Sequence, residues 1–342
     1  MSPHLASARL VEVDPRAPDP GAIEEAAAVL RAGGLVAMPT ETVYGLAARA
    51  LDEQALARIF AAKGRPTHHP LILHVAGELE ARALATSWPE RAARLARAFW
   101  PGPLTMIVDR APAVPAAVAG GGTSVAVRAP AHPVALALLV ALGEPIAAPS
   151  ANRYQGLSPT TAAHVVKQLG GLVDLVLDAG PCDAGIESTV VDVRGERPRV
   201  LRPGALGLEA LRRVAPDIEV GADSVRAAQA RVSPGMDARH YAPRARLLLA
   251  DTWEEGRRVA YGLAATGARV GLVTYEAHTS SIPEQRVSIR VLPRDPAQYA
   301  RVLYQTLHDL DDAGVDAIVV QGVPADEAWW AVDDRLKRGA ST

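Results

Sequence analysis

Lysine and arginine two residues apart, in Lys63-Gly64-Arg65-Pro66, are the side chains best suited to chemistry on an anion. Arginine can clamp a phosphate through paired hydrogen bonds, and lysine adds a mobile point charge. The same residues also suit a helix end, where cations complement the dipole and glycine stops the last turn. Of 36 basic residues only Lys63, Lys167 and Lys337 are lysine, so lysine at 63 shifts the balance toward a dedicated role. Short polar residues recur in the loops Pro39-Thr40-Glu41-Thr42, Gly120-Gly121-Gly122-Thr123-Ser124, Pro149-Ser150-Ala151-Asn152, Ser158-Pro159-Thr160 and Glu187-Ser188-Thr189, with Arg128 and Arg202 beside two of them. Each alone suits a turn or a helix cap. Together they offer cations and hydroxyls without an obvious catalytic base. That set fits phosphoryl or nucleotidyl transfer, where positioning and charge neutralisation carry the reaction.

Other sites are excluded. The glycine run lacks the Gly-Lys-Ser/Thr ending of a Walker loop and precedes a strand, although its amides and Ser124 can line a nucleotide pocket. No Gly-x-Ser-x-Gly elbow marks a serine hydrolase. His68, His69 and His74 lack a nearby cysteine or carboxylate, a poor set for a transition metal.

The elements that must carry these residues alternate. Helices are expected from Ala22 to Arg31 behind Asp19-Pro20, from Asp52 to Lys63, and over 89–99, 133–142 and 160–169. Apolar strands are expected over 35–38, 71–75, 104–108, 125–128, 145–148, 172–177, 189–193 and 199–201. After a short helix over 208–214 the pattern weakens to Gly235 and reads as a linker. From Arg244 onward strands and helices alternate again, which implies a small parallel, doubly wound sheet. We therefore expect an α/β chain in three parts: a catalytic domain over 1–208, a linker over 209–243 and a small Rossmann-like domain over 244–342.

Composition sets outer limits. The 342 residues include 49% hydrophobic side chains but 4% aromatic ones, so aliphatic residues and alanine must fill the core. A single cysteine, Cys182, excludes an intrachain disulfide and a cysteine-based zinc site, and suits a cytoplasmic location. No apolar run is long enough to span a membrane, and no secretory signal is evident. A formal net charge of −2 argues against a broad polyanion-binding surface. The competing class is a double-stranded RNA-binding or ribosome-associated module, which a local basic patch would permit.

The loops fall in an order that resembles the YrdC-like family of L-threonylcarbamoyladenylate synthases, in its long two-domain form. The shared motifs are PTETVYGL (39–46), KGRP (63–66), HPLILHV (69–75), WPGPLT (100–105), VAVRAP (125–130), APSAN (148–152), ESTVVD (187–192) and LRPGAL (201–206). The resemblance implies a twisted mixed-sheet catalytic domain that joins L-threonine, bicarbonate and ATP into threonylcarbamoyl-AMP and pyrophosphate. It implies Mg²⁺ carried by the ATP phosphates, with no metal site built from protein side chains. The implied partners are the tRNA-modifying threonylcarbamoyl transferase machinery and, by possible direct contact, tRNA. The family's paired signatures fall on Lys63, Arg65, Ser150 and Asn152, the implied catalytic set. Threonine would meet Thr42, His74, Arg128, the Ala148 backbone and Ser188. ATP would meet Arg65, His69, Ser124, Ser150, Ser158 and Arg202, with the linker folding over the pocket to bring His240 and Tyr241 to the nucleotide.

Overall fold

A computed structural model describes residues 8–220, 240–276 and 286–340. The chain divides into two compact units. The first spans 1–154, 158–183 and 187–236, and the second takes 155–157, 184–186 and 237–342.

In chain order the first unit contains β1 (Arg9–Glu12), α1 (Pro20–Arg31), β2 (Val36–Met38), β3 (Gly45–Arg49), α2 (Glu53–Lys63), β4 (Ile72–His74), α3 (Glu78–Ala83), α4 (Glu90–Phe99), β5 (Leu104–Asp109) and β6 (Ser124–Arg128). It continues with α5 (Pro133–Leu142), β7 (Ile146–Ala147), α6 (Ala162–Leu169), β8 (Leu175–Asp178), β9 (Thr189–Asp192), β10 (Arg199–Arg202), α7 (Leu208–Val214) and β11 (Glu219–Val220). Its strands form one mixed sheet in the order β1-β8-β2-β3-β7-β4-β6-β5-β9-β10-β11. Helices α1 and α5 cover one part of it, where Ile23, Leu30, Leu138 and Leu139 pack with Val36, Ile146 and Leu175. Ile72, Ile107, Ala126, Val190 and Leu201 form a second cluster under β4, β5, β6, β9 and β10. Alanine and aliphatic side chains do fill these cores.

Local chemistry sets the helix ends. Asp19 accepts a hydrogen bond from the Ala22 amide, with Pro20 at the first helical position of α1. Asp52 caps the amides of Gln54 and Ala55 at the start of α2. Gly64, at φ 65°, ends α2 in the left-handed conformation that glycine tolerates best.

Several elements depart from the sequence expectation. Strand β3 begins at the end of the expected polar loop 39–46 and runs on to Arg49, although its Gly-Leu-Ala-Ala-Arg sequence has weak strand propensity. Close approach explains Gly45: an added Cβ would lie 3.2 Å from the Ala148 Cβ, and Gly45 bridges Ser150. Strands β1 and β11 and helix α3 were also not anticipated. The expected linker begins as ordered structure, because Ile218 is buried, β11 pairs with β10, and Glu219 bonds Arg199 at 2.8 Å. Its central part, including the stretch expected to fold over the pocket, lies outside the described residues.

The second unit contains β12 (Arg246–Ala250), α8 (Trp253–Ala265), β13 (Val270–Thr274), β14 (Val287–Val291), α9 (Pro296–Asp312), β15 (Ala317–Gln321) and α10 (Trp330–Ala340). The strands are all parallel, in the order β12-β15-β13-β14. Trp253, Ala260, Val270, Leu272 and Val319 form its core.

Candidate active site

Register places the polar residues in a row across the middle of the large sheet. His74 ends β4 and lies directly opposite Arg128, which ends the parallel neighbour β6. On one side of this pair, Ala148 follows β7 and donates its amide to the Ile72 carbonyl at 2.9 Å. On the other, Thr105 of β5 bonds the Ser188 hydroxyl at 2.7 Å, just before β9. Arg202, at the end of β10, donates through Nη2 to the Ser188 carbonyl at 2.8 Å and to its hydroxyl at 3.2 Å. Residues implied for threonine and for ATP therefore meet at Ser188. Gly204 permits the approach, since a Cβ there would fall 2.4 Å from the Glu187 carbonyl oxygen and the Ser188 carbonyl carbon.

The Lys63 ammonium stands beside the row, tying down the 150–152 loop. Its Nζ donates to the Ser150 carbonyl at 2.5 Å, the Asn152 carbonyl at 2.6 Å and Asn152 Oδ1 at 3.4 Å. Ser150 Oγ donates to the same Oδ1 at 2.5 Å. Burial, reinforced by the nearby Arg65 charge, lowers the lysine pKa well below its usual value. The carbonyl oxygens around Nζ oppose that shift, because they favour the ammonium. Buried Arg65 donates to the Pro70 carbonyl at 3.1 Å. Lysine at 63 thus serves as a compact three-way donor, a geometry that the planar guanidinium does not reproduce.

The 39–46 loop supplies the third group. Thr40 Oγ1 lies 2.8 Å from Thr42 Oγ1 and donates to the Val43 carbonyl at 2.6 Å. The Tyr44 amide bonds the Pro159 carbonyl and the Ala151 amide bonds the Tyr44 carbonyl, joining this loop to the two serine loops. Between Thr40 and Thr42, Glu41 approaches Arg128 at 2.7 Å. Ser158 donates a short hydrogen bond to the Glu187 carboxylate. Buried His69 sets its ring against Tyr154 at 5.3 Å, and buried Ser124 starts β6.

His240 and Tyr241 belong to the second unit. There the Tyr241 ring is buried 5.1 Å from the Arg335 guanidinium and 6.0 Å from Tyr304. Sequence reasoning missed Glu41 as the partner of Arg128, Glu187 beside Ser158, and Thr105 beside Ser188. All three stand inside the quoted motifs, but only strand register reveals whom they face.

His74 provides a thermodynamic test of the site. Burial, with a smaller contribution from Arg128, lowers its pKa from 6.5 to about 3. The unfolded chain therefore binds the extra proton and the folded chain does not, so stability rises with pH between those values and falls on acidification. At pH 5 the effect is about 2 kcal/mol, with about one proton taken up on unfolding. His74→Asn is expected to remove that proton from the pH dependence of stability, read by denaturant titration at pH 5 and pH 7. An unchanged slope would contradict a neutral, buried His74.

Comparison with known proteins agrees with this arrangement. A family model described as "Telomere recombination", covering Sua5, YciO and YrdC, matches residues 28–204, and one for the C-terminal domain of threonylcarbamoyl-AMP synthase matches 206–341. The chain is 40% identical to the threonylcarbamoyl-AMP synthase of Pyrococcus abyssi, over 93% of this chain and 94% of that protein. It is 38% identical to that of Bacillus subtilis, over 93% and 92% respectively. A crystal structure of P. abyssi Sua5 complexed with L-threonine superposes with a TM-score of 0.89 at 38% identity, covering 97% of each chain. The chain belongs to the Sua5/YrdC family of threonylcarbamoyl-AMP synthases.

Proposed function

We infer that the enzyme activates L-threonine by nucleotidyl transfer, forming threonylcarbamoyl-AMP from threonine, bicarbonate and ATP. Its chemistry rests on one observation above the others. In the first unit Lys63, Arg65, Arg128 and Arg202 are all buried, and they gather around the polar loops and strand ends described above. Several buried cations gathered at one set of loops favour an anionic ligand.

Arg128 is assigned to the amino-acid carboxylate, with Thr42, His74, the Ala148 backbone and Ser188 around the remainder of threonine. Arg65, His69, Ser124, Ser150, Ser158 and Arg202 are assigned to ATP. The threonine amine becomes a carbamate, and a carbamate oxygen attacks the α-phosphorus as the bond to pyrophosphate breaks. Charge grows on the phosphoryl oxygens and the leaving group. Lys63 holds the 150–152 loop in place while Arg65 and Arg202 face that charge. No cluster of three or more metal-ligating side chains occurs among the described residues. Mg²⁺ would enter on the ATP phosphates with its own waters and supply further charge neutralisation there.

The product is a mixed anhydride, which calls for an acyl-transfer partner. We assign that role to a tRNA-modifying threonylcarbamoyl transferase and place the chain in the cytoplasm, with direct tRNA contact as part of the proposal. No helix among the described residues is long and apolar enough to cross a membrane. Isotopically labelled bicarbonate tests the reaction: the label should enter an AMP-containing product only with threonine present. Label-free AMP formed without threonine would contradict it.

A further inference from the structure

Both carboxylate oxygens of Glu41 are buried and lack a hydrogen-bond donor among the described residues. Its Oε1 lies 2.7 Å from Arg128 Nη2, yet the approach lacks hydrogen-bond geometry, and Arg128 Nε and Nη2 have no acceptor there either. A structural ion pair of these two groups would exchange paired hydrogen bonds. Burying them without those bonds is costly, so the arrangement points to a ligand that completes both halves. An α-amino acid zwitterion has the required form, with an ammonium to donate and a carboxylate to accept.

We propose that Glu41 holds the ammonium of the substrate threonine and accepts a proton from it. This rests on the reading that threonine's carboxylate binds Arg128. The transfer converts ammonium and carboxylate to free amine and carboxylic acid. The amine nitrogen then bonds the bicarbonate carbon while the C–OH bond breaks, and the departing hydroxyl takes the second amine proton as water. Glu41 returns its proton to solvent before the next turnover. Position supports the assignment, because Glu41 lies between Thr40 and Thr42 and faces the end of β6.

The test compares wild type with Glu41→Gln. Threonine kcat/KM should fall about 10²- to 10⁴-fold, the usual contribution of a positioned general base. Competition by 2,3-dihydroxybutanoate, which replaces the amine with a hydroxyl, separates amine recognition from a structural role. Wild type should prefer threonine strongly, and the variant should lose most of that preference. A variant that keeps both the rate and the preference overturns the assignment. If the variant does not fold, a crystal structure of wild type with L-threonine decides: ammonium nitrogen within hydrogen-bond reach of a Glu41 oxygen supports it, and separation beyond that reach overturns it. Wild type that shows no threonine-dependent pyrophosphate release would instead refute the broader reading.

Discussion

Lys63→Met is expected to lower turnover by about 10³-fold, equivalent to about 4 kcal/mol of transition-state stabilisation. Methionine keeps much of the side-chain length and removes the donors. The Ser150 and Asn152 carbonyl oxygens then lose their shared ammonium, and Oδ1 of Asn152 loses one donor. Each buried acceptor left unpaired costs about 1–3 kcal/mol, so the loop relaxes and the ATP-facing Ser150 hydroxyl moves with it. Lys63→Arg should not restore the rate, because a planar fork cannot point into three converging oxygens. Steady-state pyrophosphate release, with circular dichroism confirming the fold, checks both variants. A near-wild-type rate for Lys63→Met would remove the lysine from the machinery.

The second large effect is expected at Arg128. Arg128→Ala should weaken threonine binding by about 10²- to 10³-fold, consistent with about 2–5 kcal/mol for truncating one member of a buried charge pair. ATP binding should change little, since Ser124 opens β6 at the end away from Arg128 and the other residues assigned to ATP lie outside this strand. The same variant strands Glu41, whose side chain is only 13% exposed, so stability should also fall. Combining Arg128→Ala with Glu41→Ala should recover part of that stability without recovering threonine binding. Isothermal titration with threonine and with ATP, alongside thermal unfolding, reads the two effects separately. Equal losses for both ligands would contradict the assignment of Arg128 to the amino acid.

Particular residues show where sequence legibility ended. The apolar runs before Thr40 and through Arg128 identified strands because strands buried on both faces are continuously hydrophobic. Asp19, Asp52 and Gly64 marked helix ends through chemistry local to a few residues. Strand β3 escaped notice because its pairing with β2 and β7, rather than its propensity, makes it a strand. Lysine scarcity drew attention to Lys63, but its contacts come from 87 and 89 residues away. Glu41 was legible as a motif letter and not as the partner of Arg128, because the contact depends on where β2 and β6 end in the sheet. The near-neutral net charge likewise concealed the gathering of buried cations at these loops, since it sums over the whole chain.

Pyrophosphate release from ATP by the purified full-length chain tests the central claim most directly. The account predicts release that requires L-threonine and bicarbonate together, and that falls to background when either is withheld. Release that continues undiminished without threonine or without bicarbonate, or no release with all three present, would contradict it.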